Sequence, residues 1–137
     1  MASLLKVDAL TGVTTAGSIS VTGEGNSTTT NLQQGLAKVW SNYSGSGTTF
    51  RDSFNCASAT DNGTGDYTNS FTSNMNNDDY SVSVGIRYDS GASAAYSGRS
   101  TELKTFATGS IRYVGQIATA SALDYDHTCP QIMGDLA

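Results

Sequence analysis

The sequence predicts an all-β protein, an antiparallel β-sandwich head of jelly-roll-like type that is preceded by an extended N-terminal arm. Two observations predict this class. Ser, Thr, Gly and Asn make up 61 of the 137 residues, and all four are poor residues for the interior of a helix. About seven short segments have strand character, and turn signals separate them roughly every 8–12 residues, a spacing typical of a sandwich.

The composition also restricts the class of protein. Leu, Ile, Val and Phe supply only 24 residues, as in many disordered chains, but a formal net charge of −5 is too small for the disordered class. Seven basic residues against twelve acidic ones leave no positive surface for nucleic acid. No apolar run is long enough for a membrane helix, and the first ten residues lack the apolar block of a secretory signal. We therefore expect a soluble protein with no nucleic-acid and no membrane partner.

Residues 1–34 are predicted to form an anchoring arm and linker, and residues 35–137 the head domain. Ile19 and Val21 alternate with polar residues, which predicts one short strand. Residues 24–30 contain no apolar side chain and are expected to be a linker. An arm this polar cannot hold a core of its own, so we expect it to dock on a partner through the aliphatic residues at its start. These anchoring residues are Leu4, Leu5, Val7 and Leu10.

The first half of the head is predicted to contain three strands. Leu36–Tyr43 is the first, and a Ser-Gly-Ser-Gly turn separates it from Thr48–Asn55, in which Phe50 and Phe54 are expected to share one face. The Asn-Gly pair within the next turn is a strong hairpin signal, because both residues tolerate a positive φ. Asp66–Thr72 follows this turn. Its inward residues are predicted to be Tyr67 and Phe71, with Asn69 between them.

The second half of the head has the clearest strand pattern of the chain, at Tyr80–Asp89. Its inward face is predicted to consist of Tyr80, Val82, Val84, Ile86 and Tyr88. Ser90–Thr101 is expected to be a loop, and Glu102–Thr108 is expected to pair with Ser110–Ile117 around Gly109. Pro130–Leu136 is predicted to be a short terminal strand, and its proline favours an edge position or a strand start.

No catalytic residue, metal site or cofactor is predicted. His127 follows Asp124 and Asp126, which could form a metal site or a base with its orienting carboxylate. A surface loop is the favoured interpretation, because adjacent residues of a strand point to opposite faces. Cys56 and Cys129 are interpreted as structural thiols rather than nucleophiles. The Asp and Asn residues of the turns do not match the spacing of a calcium loop.

One pair of residues is predicted to contact a ligand. The aromatic residues that could form a platform for sugars are Trp40, Tyr43, Tyr67, Tyr88 and Tyr96. Most of them fall on the inward pattern, where aromatic residues are usually part of the core. Tyr96 is the exception because it lies in the Ser90–Thr101 loop, together with Arg99. Tyr96 and Arg99 are therefore the candidate ligand contacts.

Four ordered motifs follow one another between Gly35 and Met75. They are Gly35-Leu36-Ala37-Lys38 with Trp40, Gly45-Ser46-Gly47-Thr48, Arg51-Asp52-Ser53-Phe54-Asn55 and Asp61-Asn62-Gly63-Thr64-Gly65-Asp66-Tyr67-Thr68. This run resembles a recurrent domain of tail fibres and related virion structural proteins of tailed phages, common among marine phages. The ending Gly134-Asp135-Leu136-Ala137 and the opening residues 5–19 are similar to the two ends of such proteins. The chain departs from the family pattern at Cys56, Ala57 and Ala59, at Asn69-Ser70 and at Asn76.

The resemblance implies a structural, host-facing virion protein without catalytic residues. It implies a homotrimer, which agrees with the small aliphatic supply, since such a subunit would complete its core against its copies. The arm would anchor the protein to other virion proteins of the tail or capsid, and Tyr96 and Arg99 would contact a host surface polysaccharide. Three alternatives stay open: a capsid decoration protein without a receptor role, a polysaccharide-degrading enzyme, for which the chain has few Glu residues, and a cellular adhesin.

Overall fold

The computed structural model of the protein describes residues 4–13, 19–23, 28–89, 98–117 and 121–137. These residues form β-strands and no helix, which confirms the predicted all-β class, and accordingly none of them belongs to a helix that could cross a membrane. The strands form three antiparallel sheets. The chain divides into two compact units, Met1–Leu36 and Ala37–Ala137.

The first unit contains a small hairpin. Its strands are β1 (Ser20–Thr22) and β2 (Thr29–Asn31), and Val21 lies opposite Thr30. The strand predicted around Val21 is therefore confirmed. Part of the predicted linker is a strand instead, because the β-branched threonines of β2 suit an extended backbone that pairs with β1. The four candidate anchoring residues, Leu4, Leu5, Val7 and Leu10, are each more than half exposed.

The second unit contains two four-stranded sheets. Its strands are β3 (Ala37–Tyr43), β4 (Phe50–Phe54), β5 (Cys56–Gly63), β6 (Asp66–Phe71), β7 (Ser81–Arg87), β8 (Ser100–Ala107), β9 (Ser110–Gln116) and β10 (His127–Met133). The first sheet has the order β4-β3-β10-β7 and the second the order β5-β6-β9-β8. The predicted hairpin around Gly109 is present, between β8 and β9. The predicted turn over residues 61–65 is also present, as the two residues Thr64 and Gly65 between β5 and β6.

Strand β5 was not predicted. The sequence pattern ends a strand at Asn55, because Cys56, Ala57 and Ala59 are too small to mark a buried face. In the structure the chain turns at Asn55 and continues as β5, the edge strand of the second sheet. An edge strand with few large side chains is stable here because its backbone pairs with β6 along almost its whole length.

The prediction for Pro130 was wrong. Instead of starting an edge strand, Pro130 lies in the middle of β10, which pairs with β7 on one side and β3 on the other. The β7 ladder is continuous through Pro130, which lies opposite Val84. The β3 ladder has no Cα partner for Cys129 or Pro130. The missing amide N–H of proline therefore opens one ladder locally and leaves the strand itself intact.

Both sheets contribute to one buried cluster, an arrangement compatible with the predicted β-sandwich. Its fully buried tyrosines are Tyr43 of β3, Tyr67 of β6 and Tyr113 of β9. The rings of Tyr43 and Tyr67 meet edge to face with their centroids 5.7 Å apart. The inward positions predicted for Tyr67, Phe71, Ile111 and Tyr113 are confirmed. The jelly-roll-like connectivity, the anchoring arm and the trimer stay predictions.

Buried hydrogen bonds connect the two sheets. The Tyr113 hydroxyl donates to Asn69 Oδ1 at 3.1 Å, and Asn69 Nδ2 donates to Ser41 Oγ at 2.9 Å. The hydroxyl of Tyr43 forms a further short hydrogen bond with that of Tyr113. Since Ser41 and Tyr43 belong to β3, the chain of hydrogen bonds leaves the first sheet, passes through the second and returns. We call these four residues the buried polar network.

Asn55 holds the corner where the chain passes from the first sheet to the second. Its φ is 56°, a left-handed conformation that Asn tolerates better than most residues. Its side-chain Nδ2 donates to the carbonyls of Lys38 and Ser73, each at 3.1 Å. Its Oδ1 accepts a hydrogen bond of 2.7 Å from the Ser73 amide. One side chain therefore fixes β3, the corner and the turn after β6.

We expect Asn55→Ala to lower the free energy of unfolding by about 2–4 kcal/mol, because it removes three hydrogen bonds and places a Cβ-bearing residue without a compensating side chain at positive φ. Urea unfolding followed by circular dichroism measures the loss. Asn55→Gly is the matched control, because it loses the same hydrogen bonds but relieves the backbone strain. Its free energy of unfolding should therefore lie between those of the wild type and Asn55→Ala. An Asn55→Ala midpoint equal to that of the wild type would contradict this role.

We expect the protein to lose stability at alkaline pH through its buried tyrosines. Burial raises the pKa of Tyr43 and of Tyr113 above the ordinary value of about 10. The unfolded chain therefore binds fewer protons than the folded one above about pH 10, so the free energy of unfolding is unaffected below that pH and falls above it. Urea midpoints measured from about pH 8 to pH 11 should show this fall. A fall of the same slope in Tyr113→Phe, which lacks one of these phenols, would contradict it.

Candidate functional site

The outer face of the second sheet carries charges that pair with one another. Arg112 binds the Asp66 carboxylate through two hydrogen bonds, from Nε at 2.9 Å and from Nη2 at 2.8 Å. Hydrogen bonding to the Arg112 guanidinium lowers the pKa of the Asp66 carboxyl group. Glu102 accepts hydrogen bonds from Lys104 and Gln116, each at 2.9 Å. These groups satisfy each other across the strands and make a polar surface.

The outer face of the first sheet instead exposes two large aromatic side chains. Trp40 of β3 and Phe54 of β4 are direct cross-strand partners, and 37% and 52% of their surfaces are exposed. The same row continues across the sheet to Gln131 of β10 and Ser83 of β7. We call these four residues the aromatic row.

Phe54 is exposed because of an irregularity between β3 and β4. The sequence pattern predicts that Phe50 and Phe54 share a face, and this prediction was wrong. Phe54 lies opposite the outward Trp40, whereas Phe50 lies opposite the inward Tyr43, with the register shifted by one residue between the two pairs. The Phe50 ring contacts the Tyr43 ring edge to face, with a centroid distance of 5.9 Å. A shift of one residue is enough to reverse the side of the sheet to which a side chain points.

An open groove of about 420 Å³ lies beside Trp40 on the first sheet. The residues that line it are Trp40, Ser41, Asn42, Cys129, Pro130 and Gln131, and none of them is charged. The groove coincides with the place where the β3 ladder has no Cα partner for Cys129 and Pro130. The flanking pairs Thr128 with Tyr43 and Gln131 with Trp40 put Ser41 across from Pro130. The Ser41 carbonyl receives no hydrogen bond from position 130, because proline has no amide N–H.

His127 lies near the groove but not in the arrangement considered from the sequence. It is the first residue of β10 and is partly buried, so the interpretation as a surface-loop residue was wrong. Its Nδ1 lies 3.3 Å from Asn42 Oδ1, and its Nε2 lies 3.5 Å from Asp89 Oδ2. Asp124 instead accepts the hydroxyl of Tyr67 at 2.6 Å. In the part of the chain that the structure describes, no three His, Cys, Asp or Glu side chains come together as metal ligands.

Of the two candidate ligand contacts, Arg99 lies among the described residues and Tyr96 does not. Arg99 directly precedes β8, and its guanidinium carbon lies 5.1 Å from the centroid of the Tyr88 ring, a cation–π geometry. Arg99 and Tyr88 border a recess of about 330 Å³. Arg87 and Asp89 also line this recess and form an ion pair of 2.7 Å. Arg99 is therefore held beside Tyr88, at one end of the segment in which the ligand contact was predicted.

The aromatic residues considered as a sugar platform do not form one surface among the described residues, as the inward pattern of most of them indicates. Tyr43 and Tyr67 are fully buried in the core, Tyr88 lies beside Arg99, and Trp40 lies on the outer face of the first sheet. Phe54, which the sequence interpretation did not include, is the aromatic partner of Trp40. The signal that could have identified this pair is weak, since alternation shows which residues share a face but not which face is covered.

Neither cysteine has the character of a nucleophile. Both thiols are free. Cys56 packs against the core and donates to the Trp40 carbonyl at 3.5 Å, whereas Cys129 borders the groove. Burial raises the pKa of both thiols, which disfavours the thiolate that a nucleophile needs.

No family model, curated protein or solved structure matches the chain. A function is therefore proposed from the chemistry of the surface together with the resemblance of residues 35–75.

We expect Phe54→Ala to lower the free energy of unfolding by less than about 1 kcal/mol, because its side chain is half exposed and little packing is lost. Phe71→Ala is the matched comparison. Phe71 is 6% exposed and packs against Tyr80, so its loss should cost about 3–5 kcal/mol. Urea unfolding of both variants measures the difference, and similar losses would show that Phe54 is a core residue after all.

Proposed function

We propose that the protein is a virion structural protein of a tailed phage, a short fibre-like surface subunit on the tail or the capsid whose head faces the host. The observation that carries the proposal is the exposed pair of Trp40 and Phe54. In a chain with so few large apolar residues, two aromatic side chains on one outer face are costly to leave outside the core unless they contact something. The ordered motifs of residues 35–75 support the virion as the place of that contact.

The architecture proposed with this function is a jelly-roll-like β-sandwich head, an N-terminal anchoring arm and a homotrimer. Leu4, Leu5, Val7 and Leu10 support the arm, because exposed aliphatic residues in a polar segment suit docking on another virion protein or on a neighbouring subunit. The small number of large aliphatic residues supports the trimer, since association would bury surface that one chain leaves open.

We propose a binding role rather than an enzymatic one. A glycoside hydrolase normally uses two carboxylates that flank the scissile bond, and the six residues that line the groove include no carboxylate. The uncharged groove beside an aromatic pair instead suits recognition without reaction.

Immunogold labelling tests the location. An antiserum raised against the purified protein, applied to purified particles of the phage that encodes the chain, should label the tail or the capsid surface. The same antiserum adsorbed with the protein is the control and should give no label. Absence of the protein from disrupted, purified particles would overturn the virion proposal.

Native mass spectrometry tests the trimer. The chain has a mass of 14.2 kDa, and we expect a principal species of three times that mass. Because the core is proposed to be completed by association, the urea midpoint should rise with protein concentration. A monomer that unfolds cooperatively, with a midpoint independent of concentration, would contradict the trimer.

A further inference from the structure

We propose that the groove beside Trp40 binds an uncharged saccharide chain, with the aromatic row as its platform. This inference rests on the proposed function and names the ligand class of a host-facing surface. The site differs from the contact predicted at Tyr96 and Arg99, and its position is assigned from the geometry of the first sheet.

The aromatic pair supplies the apolar part of such a site. Sugar rings present faces of C–H groups that pack against flat aromatic side chains. Trp40 and Phe54 are cross-strand partners on the same outer face and are both open to solvent. Four strands separated by about 4.8 Å make a row roughly 14 Å long from Phe54 to Ser83, which is room for more than one sugar ring.

The lining also offers the hydrogen-bond groups that hydroxyls need. The Gln131 side chain provides both a donor and an acceptor in the same row as Trp40. Asn42 also borders the groove, and since its Oδ1 is contacted by Arg51 and His127, its Nδ2 is the group that it offers to a ligand. The Ser41 carbonyl, opposite Pro130, is a backbone acceptor that position 130 leaves without a donor. Aromatic and amide groups together fix the orientation of a polyhydroxylated ligand better than an apolar peptide or a lipid chain.

Charge decides between neutral and acidic saccharides. None of the six lining residues is charged, and the chain carries a formal net charge of −5. An anionic polysaccharide would be repelled by this net charge. Arg51 lies at the Asn42 end of the groove, 3.5 Å from Asn42 Oδ1, but its guanidinium already donates to the Asp126 carbonyl at 2.8 Å. A volume of about 420 Å³ also lies within the range of about 300–1,000 Å³ that small-molecule sites occupy.

Trp40 is the only tryptophan of the chain, so its fluorescence reports on the groove directly. The full-length protein is titrated with dextran, mannan, cellohexaose and maltohexaose as neutral probes and with polygalacturonate and alginate as acidic ones. At least one neutral probe should shift or enhance the emission in a saturable way, and the acidic probes should not.

Variants then assign the binding to the groove. Isothermal titration calorimetry with the neutral probe that binds should show at least a tenfold loss of affinity for Trp40→Ala and a loss of about threefold to tenfold for Gln131→Ala, the effect of one or two hydrogen bonds. Gln131 is exposed, so this variant tests the site even if Trp40→Ala fails to fold. Lys104→Gln, on the outer face of the second sheet, is the matched control and should bind as the wild type does.

Three results would overturn the inference: no binding of any neutral probe, binding only of the acidic probes, or binding that Gln131→Ala and Trp40→Ala leave unchanged. These outcomes are independent of the virion proposal. A protein that labels particles but binds no neutral saccharide would remove the groove as a saccharide site and leave the structural role in place.

Discussion

The fold depends on burying tyrosines whose hydroxyl groups all need partners. Leu, Ile, Val and Phe supply 24 residues. Among the residues that the structure describes, the largest fully buried side chains are Tyr43, Tyr67, Tyr113 and Tyr125. A tyrosine fills space as a large hydrophobic residue does, but its hydroxyl loses water on burial and costs free energy unless it is hydrogen-bonded. The positions of these partners therefore determine how the two sheets of the second unit fit together.

The structure meets this requirement at each buried phenol. The buried polar network joins Tyr43 and Tyr113 to Asn69 and Ser41, and Tyr125 donates to the Gln116 carbonyl at 2.6 Å. Asn69 is fully buried and bonds to both Tyr113 and Ser41, so it links the two sheets within the network. Because hydrogen bonds are directional, this core specifies the alignment of the sheets more strictly than aliphatic packing would. For the same reason, another side chain at any of these four positions would leave a buried hydrogen-bonding group without its partner.

The sequence was sufficient for the strands whose side chains alternate clearly. The alternation of Tyr80–Asp89 places β7, and Gly109 places the turn between β8 and β9, because both signals are local. The positions of Pro130 and Phe54 could not be predicted, since they depend on pairing with strands far away in the sequence. Proline is compatible with a central strand where only one of its two ladders lacks a donor, and Phe54 is exposed only through a shift of register against β3. The candidate site depends on both of these non-local features, so it was missed.

The irregular pairing of β4 has a further consequence for the solubility of the protein. β4 is an edge strand of its sheet, and an edge with a free row of amides and carbonyls beside an exposed phenylalanine is a template for uncontrolled stacking of further chains. A break in register bends such an edge out of the flat geometry that another strand could match. The neighbouring Arg51 and Asp52, both exposed, add charges that a stacked copy would have to bury. The first sheet can therefore expose an aromatic surface to water while its edge strand β4 resists pairing with the strands of other chains.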